Sequence, residues 1–179
     1  MRIVLTQNCT ADGVIDLSGG WFDPADQTDE QQLAVMRAHM EQQDALLLGR
    51  DTFEAFRAYW PNQTDDPTGI ADHLNRVQKY VLSTTMQDPE WAPTTILRGL
   101  DDLIALRDRP GNLGVTGSIS VTRQMVAADV FDEYRLFVYP LLIGDGPGVL
   151  SDDGPVDLEL VEAAPFPSGV TLLRYERRR

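Results

Sequence analysis

The sequence is short of several residues that would otherwise define its class. It holds one cysteine, Cys9, which excludes an intramolecular disulfide framework and suits a reducing compartment. No apolar run approaches the ~20 residues of a membrane-spanning helix, and the opening MRIVLTQN turns polar too soon for a signal peptide. The cytoplasm is therefore the expected location. Lysine occurs once, at Lys79, and 15 basic residues face 28 acidic ones, a formal net charge of −13. So acidic a chain excludes nucleic acid and anionic membrane as main partners, because both require a basic surface. A small anion needs only a local cluster and is not excluded. Two histidines, His39 and His73, have no partner pattern and are expected at the surface. No metal is expected, since no cluster has ligand spacing. The P-loop pattern is absent, as is G-x-G-x-x-G after either strand that ends on glycine.

What remains is a soluble composition, 42% hydrophobic and 24% charged, over 179 residues without an internal repeat or linker, and a single domain over 1–179 is expected. RIVLTQN (Arg2–Asn8) reads as a strand, and Thr10–Thr28, rich in Gly and Asp, as a long loop. Leu33, Met36 and Met40 recur at helical spacing between Asp29 and Gln42, with Thr28 or Asp29 as cap. ALLLG is a continuous apolar run of the kind a central parallel strand shows. A helix carrying Phe53, Phe56, Tyr59 and Trp60 follows, then a short helix at Ile70–Val77, the strand KYVLST, and a strand at Thr94–Leu97. Further along come a helix at Leu100–Arg107, the strand LGVTG, and a helix at Ile119–Ala128. The chain closes on EYRLFVYPLLIG and strand-like runs at Leu158–Ala164 and Val170–Arg174. Alternating strands and helices predict an α/β fold: a mostly parallel central sheet, helices on both faces, and an antiparallel C-terminal edge.

Ligands of such sheets bind beyond the carboxyl ends of the strands, and three ends here carry chemistry suited to phosphate. Gly49-Arg50-Asp51-Thr52 places a glycine and a guanidinium at a helix start, where an anion relieves the unfavourable cation. Ser83-Thr84-Thr85 offers three hydroxyls, and Thr116-Gly117-Ser118 repeats the order of strand, glycine and helix start. Singly, each is more often a turn or a cap. Their order along the chain is the more informative feature.

LLLGRDTFEAF, KYVLSTT and VTGSISVTRQMVAADVFDEYRLFVYPLLIGDGPGVL resemble the dihydrofolate-reductase superfamily. The branch most similar is the C-terminal reductase domain of the bifunctional riboflavin-biosynthesis deaminase/reductase, whose first loop TADGVID also resembles. The resemblance spans nearly the whole chain and implies a dihydrofolate-reductase-like three-layer fold, NADPH as cofactor, and a homodimer. It places Gly49, Arg50 and Thr52 near the 2′-phosphate and pyrophosphate, and Ser83 and Thr84 at the 2′-phosphate. Thr116, Gly117, Ser118 and Ile119 would open the helix facing the pyrophosphate.

Asp12 is either a substrate-facing catalytic carboxylate, as the resemblance implies, or the Asp of an Asp-Gly turn. Trp21 either stacks on a flat substrate or caps the core beneath its loop. Dihydrofolate reductases keep an acid on the first helix, but Leu33 falls in that register here, with Asp29 and Glu30 a turn earlier. Cys9 reads as a small core residue, Asp152 and Asp153 as a solvated turn. The expectation is an NADPH-dependent reductase passing hydride to a C=N or C=O of a small heterocyclic substrate. Two alternatives stay open: the pyrimidine reductase of riboflavin biosynthesis, and an NADPH-binding protein without turnover.

Overall fold

A computed structural model describes residues 1–17, 19–24, 27–149 and 154–178. Asp152 and Asp153 lie outside the described residues. Among those described, eight strands form one sheet in the order β4-β3-β2-β5-β1-β6-β8-β7. Its strands are β1 (Arg2–Thr10), β2 (Ala45–Gly49), β3 (Gln78–Leu82), β4 (Thr94–Leu97), β5 (Asn112–Val115), β6 (Glu133–Tyr139), β7 (Leu158–Pro165) and β8 (Thr171–Arg177). β4 through β6 run parallel, whereas β8 and β7 pair antiparallel at the edge.

The helices are α1 (Glu30–Glu41), α2 (Arg50–Tyr59), α3 (Ile70–Arg76), α4 (Leu100–Ile104) and α5 (Ile119–Ala127). None of the described helices is long and apolar enough to cross a membrane. ALLLG is apolar throughout because both of its faces are covered. Ala45 and Leu47 pack with Leu5, Val115, Val121 and Met125 on the α5 side. Leu46 and Leu48 pack with Phe53, Trp60 and Leu74 on the α2–α3 side. Under α1, Val35 and Met36 meet Phe137 and Leu172.

The ends of elements depart from expectation for local reasons. EYRLFVYPLLIG stops being a strand at Tyr139, before Pro140, and Leu141, Leu142 and Ile143 stand exposed. The helix expected over Leu100–Arg107 is α-helical only to Ile104, then tightens into a 3-10 turn at Ala105–Asp108, as helix C-termini often do. α1 is capped by Asp29, whose carboxylate accepts from the N–H groups of Gln31 (3.0 Å) and Gln32 (3.2 Å) and from Ser168 N–H (2.7 Å).

Candidate active site

The C-terminal ends of β2 and β5 are adjacent, and their two helix starts are joined to each other. The Gly49 N–H donates to Ser118 Oγ (2.7 Å), and the Ser118 N–H donates to Thr52 Oγ1 (3.0 Å). A Cβ at Gly49 would sit 3.0 Å from Val121 Cγ2 and 3.1 Å from Ser118 Oγ, so any larger residue there would press on the side chains at the start of α5. Gly117 is glycine for a second reason as well: φ is +60°, and a Cβ would lie 2.9 Å from Thr52 Cγ2. Ser118 continues the left-handed turn at φ +46°. Neither α2 nor α5 has a side-chain cap. First-turn N–H groups of both helices are thereby left for an anion in the cleft they share.

Beyond β3, the Ser83 hydroxyl oxygen accepts from the N–H groups of Thr85 (3.3 Å) and Met86 (3.0 Å), holding a tight turn. Thr84 and Thr85 stand exposed on that turn. Arg50 reaches across to it, donating from Nη1 to Thr85 Oγ1 (3.1 Å), while its Nε and Nη2 hold Asp51 at 3.0 and 2.9 Å. Asp51 thus relieves part of the strain of a cation at a helix start, although an exposed pair is worth little. Arg98 was not among the expected residues. It follows β4 and donates to the carbonyls of Ser83 (3.0 Å) and Met86 (2.7 Å), planting a second guanidinium at the base of the turn. The signal for it was a basic residue directly after a strand, at the same end of the sheet as the other three sites.

Asp12 does not line the cleft. Its carboxylate accepts from the Thr10 hydroxyl and from the N–H groups of Ile143 (3.1 Å) and Gly144 (2.6 Å). These bonds, that from Thr10 foremost, hold it below the usual carboxylate range, so it clamps two loops and is poorly suited to donating a proton. Trp21 is likewise not among the residues that line the cleft. Its Nε1–H donates to Asp16 O (2.7 Å), and its ring meets Tyr139 edge-on at 5.5 Å. Ile15, Asp16, Leu17, Phe22 and Pro24 are the described residues of the first loop that line the cleft, Asp16 being the carboxylate among them.

Gly49, Arg50, Thr52, Ser83, Thr84, Thr116, Gly117, Ser118 and Ile119 all line one cleft of about 1440 Å³. A site for one small ligand occupies roughly 300–1,000 Å³, so this space admits two. Its inner part is a chamber on the α1–α3 side of the sheet, walled by Met36, Met40, Phe56 and Ile70. No carboxylate of α1 lines it: Asp29 is spent as a cap, and Leu33 is buried in the core. His39 and His73, expected at the surface, both line the cleft, because α1 and α3 turn those faces toward it. His73 Nε2 lies 3.0 Å from Gln43 Oε1.

The fold is that of the dihydrofolate reductases. The RibD C-terminal domain family matches residues 2–172, and the chain belongs to that family. Among its relatives, YyaP of Bacillus subtilis (strain 168), named an uncharacterized protein, is 26% identical over 97% of this chain and 94% of its own. A putative riboflavin biosynthesis protein from Shewanella sp. PV-4 superposes with a TM-score of 0.73 at 19% identity over the whole of both chains. A pyrimidine reductase-like protein from Corynebacterium diphtheriae gives 0.67 at 19% identity over 99% of this chain and 92% of its own. Dihydrofolate reductase from Enterococcus faecalis, complexed with NADP(H), gives 0.69 at 16% identity over 99% and 97%.

Proposed function

We propose that the protein is a cytoplasmic, homodimeric NADPH-dependent reductase acting on an electron-poor C=N or C=O carbon of a small heterocyclic compound. The observation that carries this reading is the convergence of two uncapped helix N-termini, Arg50 and Arg98 on one cleft that continues into an apolar chamber. The uncapped starts of α2 and α5, held side by side by the Gly49–Ser118 and Ser118–Thr52 hydrogen bonds, fit the pyrophosphate of a dinucleotide. The N–H groups opening α2 and α5 would hold the pyrophosphate, and Arg50, Arg98 and Thr84 would surround the 2′-phosphate. The Enterococcus faecalis neighbour, of the same fold, is a complex with NADP(H).

A nicotinamide cofactor supplies the hydride when bound. The chain's own part is to hold both reactants in contact and keep water out, which the hydrophobic walls of the chamber do. Asp16, the carboxylate of the first loop that lines the cleft, or water, returns the proton.

Thermal unfolding with each cofactor tests the reading. NADPH should raise the melting temperature more than NADH at equal concentration, because only NADPH carries the 2′-phosphate. Arg98→Ala and Arg50→Ala should each remove most of that preference, since charge-assisted hydrogen bonds to phosphate are lost. Equal shifts from both cofactors would overturn it.

A further inference from the structure

The charges of the cleft are divided between its two ends, and the division bears on what the chamber accepts. Strand alternation assigns each side chain to a face. Leu5 packs on the α5 side, so its neighbour Thr6 faces the α1–α3 side, as does Asn8, paired in register with Phe137 beneath α1. Met36 and Met40 cover these residues from α1, with Phe56 and Ile70 closing the far wall.

No lysine lines the cleft, and the described guanidiniums that line it stand outside this chamber; Arg135, paired in register with Thr6 and close enough to act on His39, is held by Glu133 and Gln42. Arg50 is tied to Thr85, and Arg98 to the carbonyls of Ser83 and Met86, both beyond the ends of β2 to β4. Arg123 rises from α5 on the opposite face, its Nε and Nη2 bonded to Gly148 O at 3.2 and 3.1 Å. The bases that do face the chamber are His39 and His73, and burial holds both rings near a pKa of about 4, hence neutral. Thr6, Asn8, Gln43 and His73 line the cleft with uncharged polar side chains. A ligand here finds apolar walls and neutral hydrogen-bonding atoms. A phosphate or carboxylate would shed its hydration shell without gaining an unpaired cation, and Asp16 lines the same cleft.

We infer that the chamber takes an uncharged planar ring compound with hydrogen-bonding atoms on its edge, and discriminates against phosphorylated or carboxylated ones. The inference uses the reading above only to say which end of the cleft the cofactor fills. Quinoxaline and quinoxaline-2-carboxylate form a matched pair of C=N heterocycles that differ in charge. Equilibrium dialysis of each, against the protein alone and with saturating NADPH, should find quinoxaline bound at least tenfold more tightly in both conditions. Filling the chamber with Ile70→Phe should weaken quinoxaline at least tenfold, with Met36→Phe in its place should the first variant not fold. Equal or tighter binding of the carboxylate, binding of neither compound, or unchanged quinoxaline affinity in a folded filling variant would each overturn the inference. Should NADPH not bind while the pair is still discriminated, the cofactor reading falls and this one stands.

Discussion

Gly117 carries two separate constraints, and a pair of substitutions separates them. In Gly117→Ala the new methyl group meets Thr52 Cγ2 and the residue keeps an unfavourable left-handed φ, which costs about 1–2 kcal/mol for a non-glycine residue. Adding Thr52→Ser removes the Cγ2 and keeps the hydroxyl that accepts from Ser118. Denaturant titration should show the double variant regaining the steric part and retaining the φ cost. Asp12 and Asp16 of the first loop separate in the same manner. Asp16→Asn should lower turnover of a surrogate substrate by about 10²–10⁴-fold if it is the general acid. Asp12→Asn should leave turnover near wild type and lower the melting temperature by loosening the contact with Ile143 and Gly144. The sequence identified the glycines because strand, glycine and helix start form a local pattern. It left two roles open for Asp12 and for Trp21, and passed over Asp16 and Phe22, because a loop without periodicity gives no register. Which of two residues faces inward is decided there by distant partners such as Tyr139 and Gly144.

At the level of elements, strands buried on both faces and helices with one apolar stripe were legible, since each announces its burial through spacing. Their ends were less so. The apolar run after β6 leaves the sheet at Pro140, and its exposed tip, with Leu142 at 73% exposure, is unusual for a surface loop. Edge strand β7 also exposes Leu160 and Val161, but a bulge lies between Leu160 and Glu162 and Glu159 flanks it, features that discourage open-ended strand pairing. The proposed homodimer is therefore expected to bury side chains of 141–143, leaving the edge of β7 unpaired. Light scattering at micromolar concentration should give twice the chain mass, and Leu142→Glu should reduce it toward the monomer. A monomer mass for the unaltered protein would reject the dimer.

For the whole molecule, buried ionisable groups set the response to pH. Burial, with the guanidiniums of Arg135 and Arg174, brings His39 to about 4, and burial with Arg76 and Lys79 does the same for His73. Between pH 6.5 and 4 the unfolded chain binds protons that the folded one refuses, so stability falls as pH drops through that range. Burial works against the Glu133 carboxylate, but hydrogen bonds from Arg135 (2.6 Å), Arg174 (3.0 Å) and Arg2 (3.0 Å) carry it down to about 2. Its contribution is complete above pH 4.5 and is lost as pH falls toward 2. Lys79, the sole lysine, is fully buried, with Nζ donating to the carbonyls of Leu74 (2.6 Å) and Val77 (3.0 Å) and lying 4.6 Å from the Trp91 ring. Burial lowers it to about 8, so between pH 8 and 10.5 the folded state sheds a proton first and stability rises with pH. Urea titrations at pH 7, 5.5 and 4.5 should show a steep loss that His39→Asn with His73→Asn flattens. An unchanged slope in the double variant would place the acid sensitivity elsewhere. None of these shifts was legible in the sequence, because the arginines around Glu133 come from β1, β6 and β8 and meet only in the folded sheet.

The bonds from Gly49 to Ser118 and from Ser118 to Thr52 join positions 69 and 66 residues apart. They exist only once β5 has entered the sheet between β2 and β1. A growing chain that has made β2 and α2 therefore holds half of the anion cradle and gains little from a ligand. Closing so long a loop is among the slower events of folding, and the donor array is complete only after it. A ligand of this cradle would accordingly be no template for the early chain; it would bind finished molecules and stabilise those by mass action.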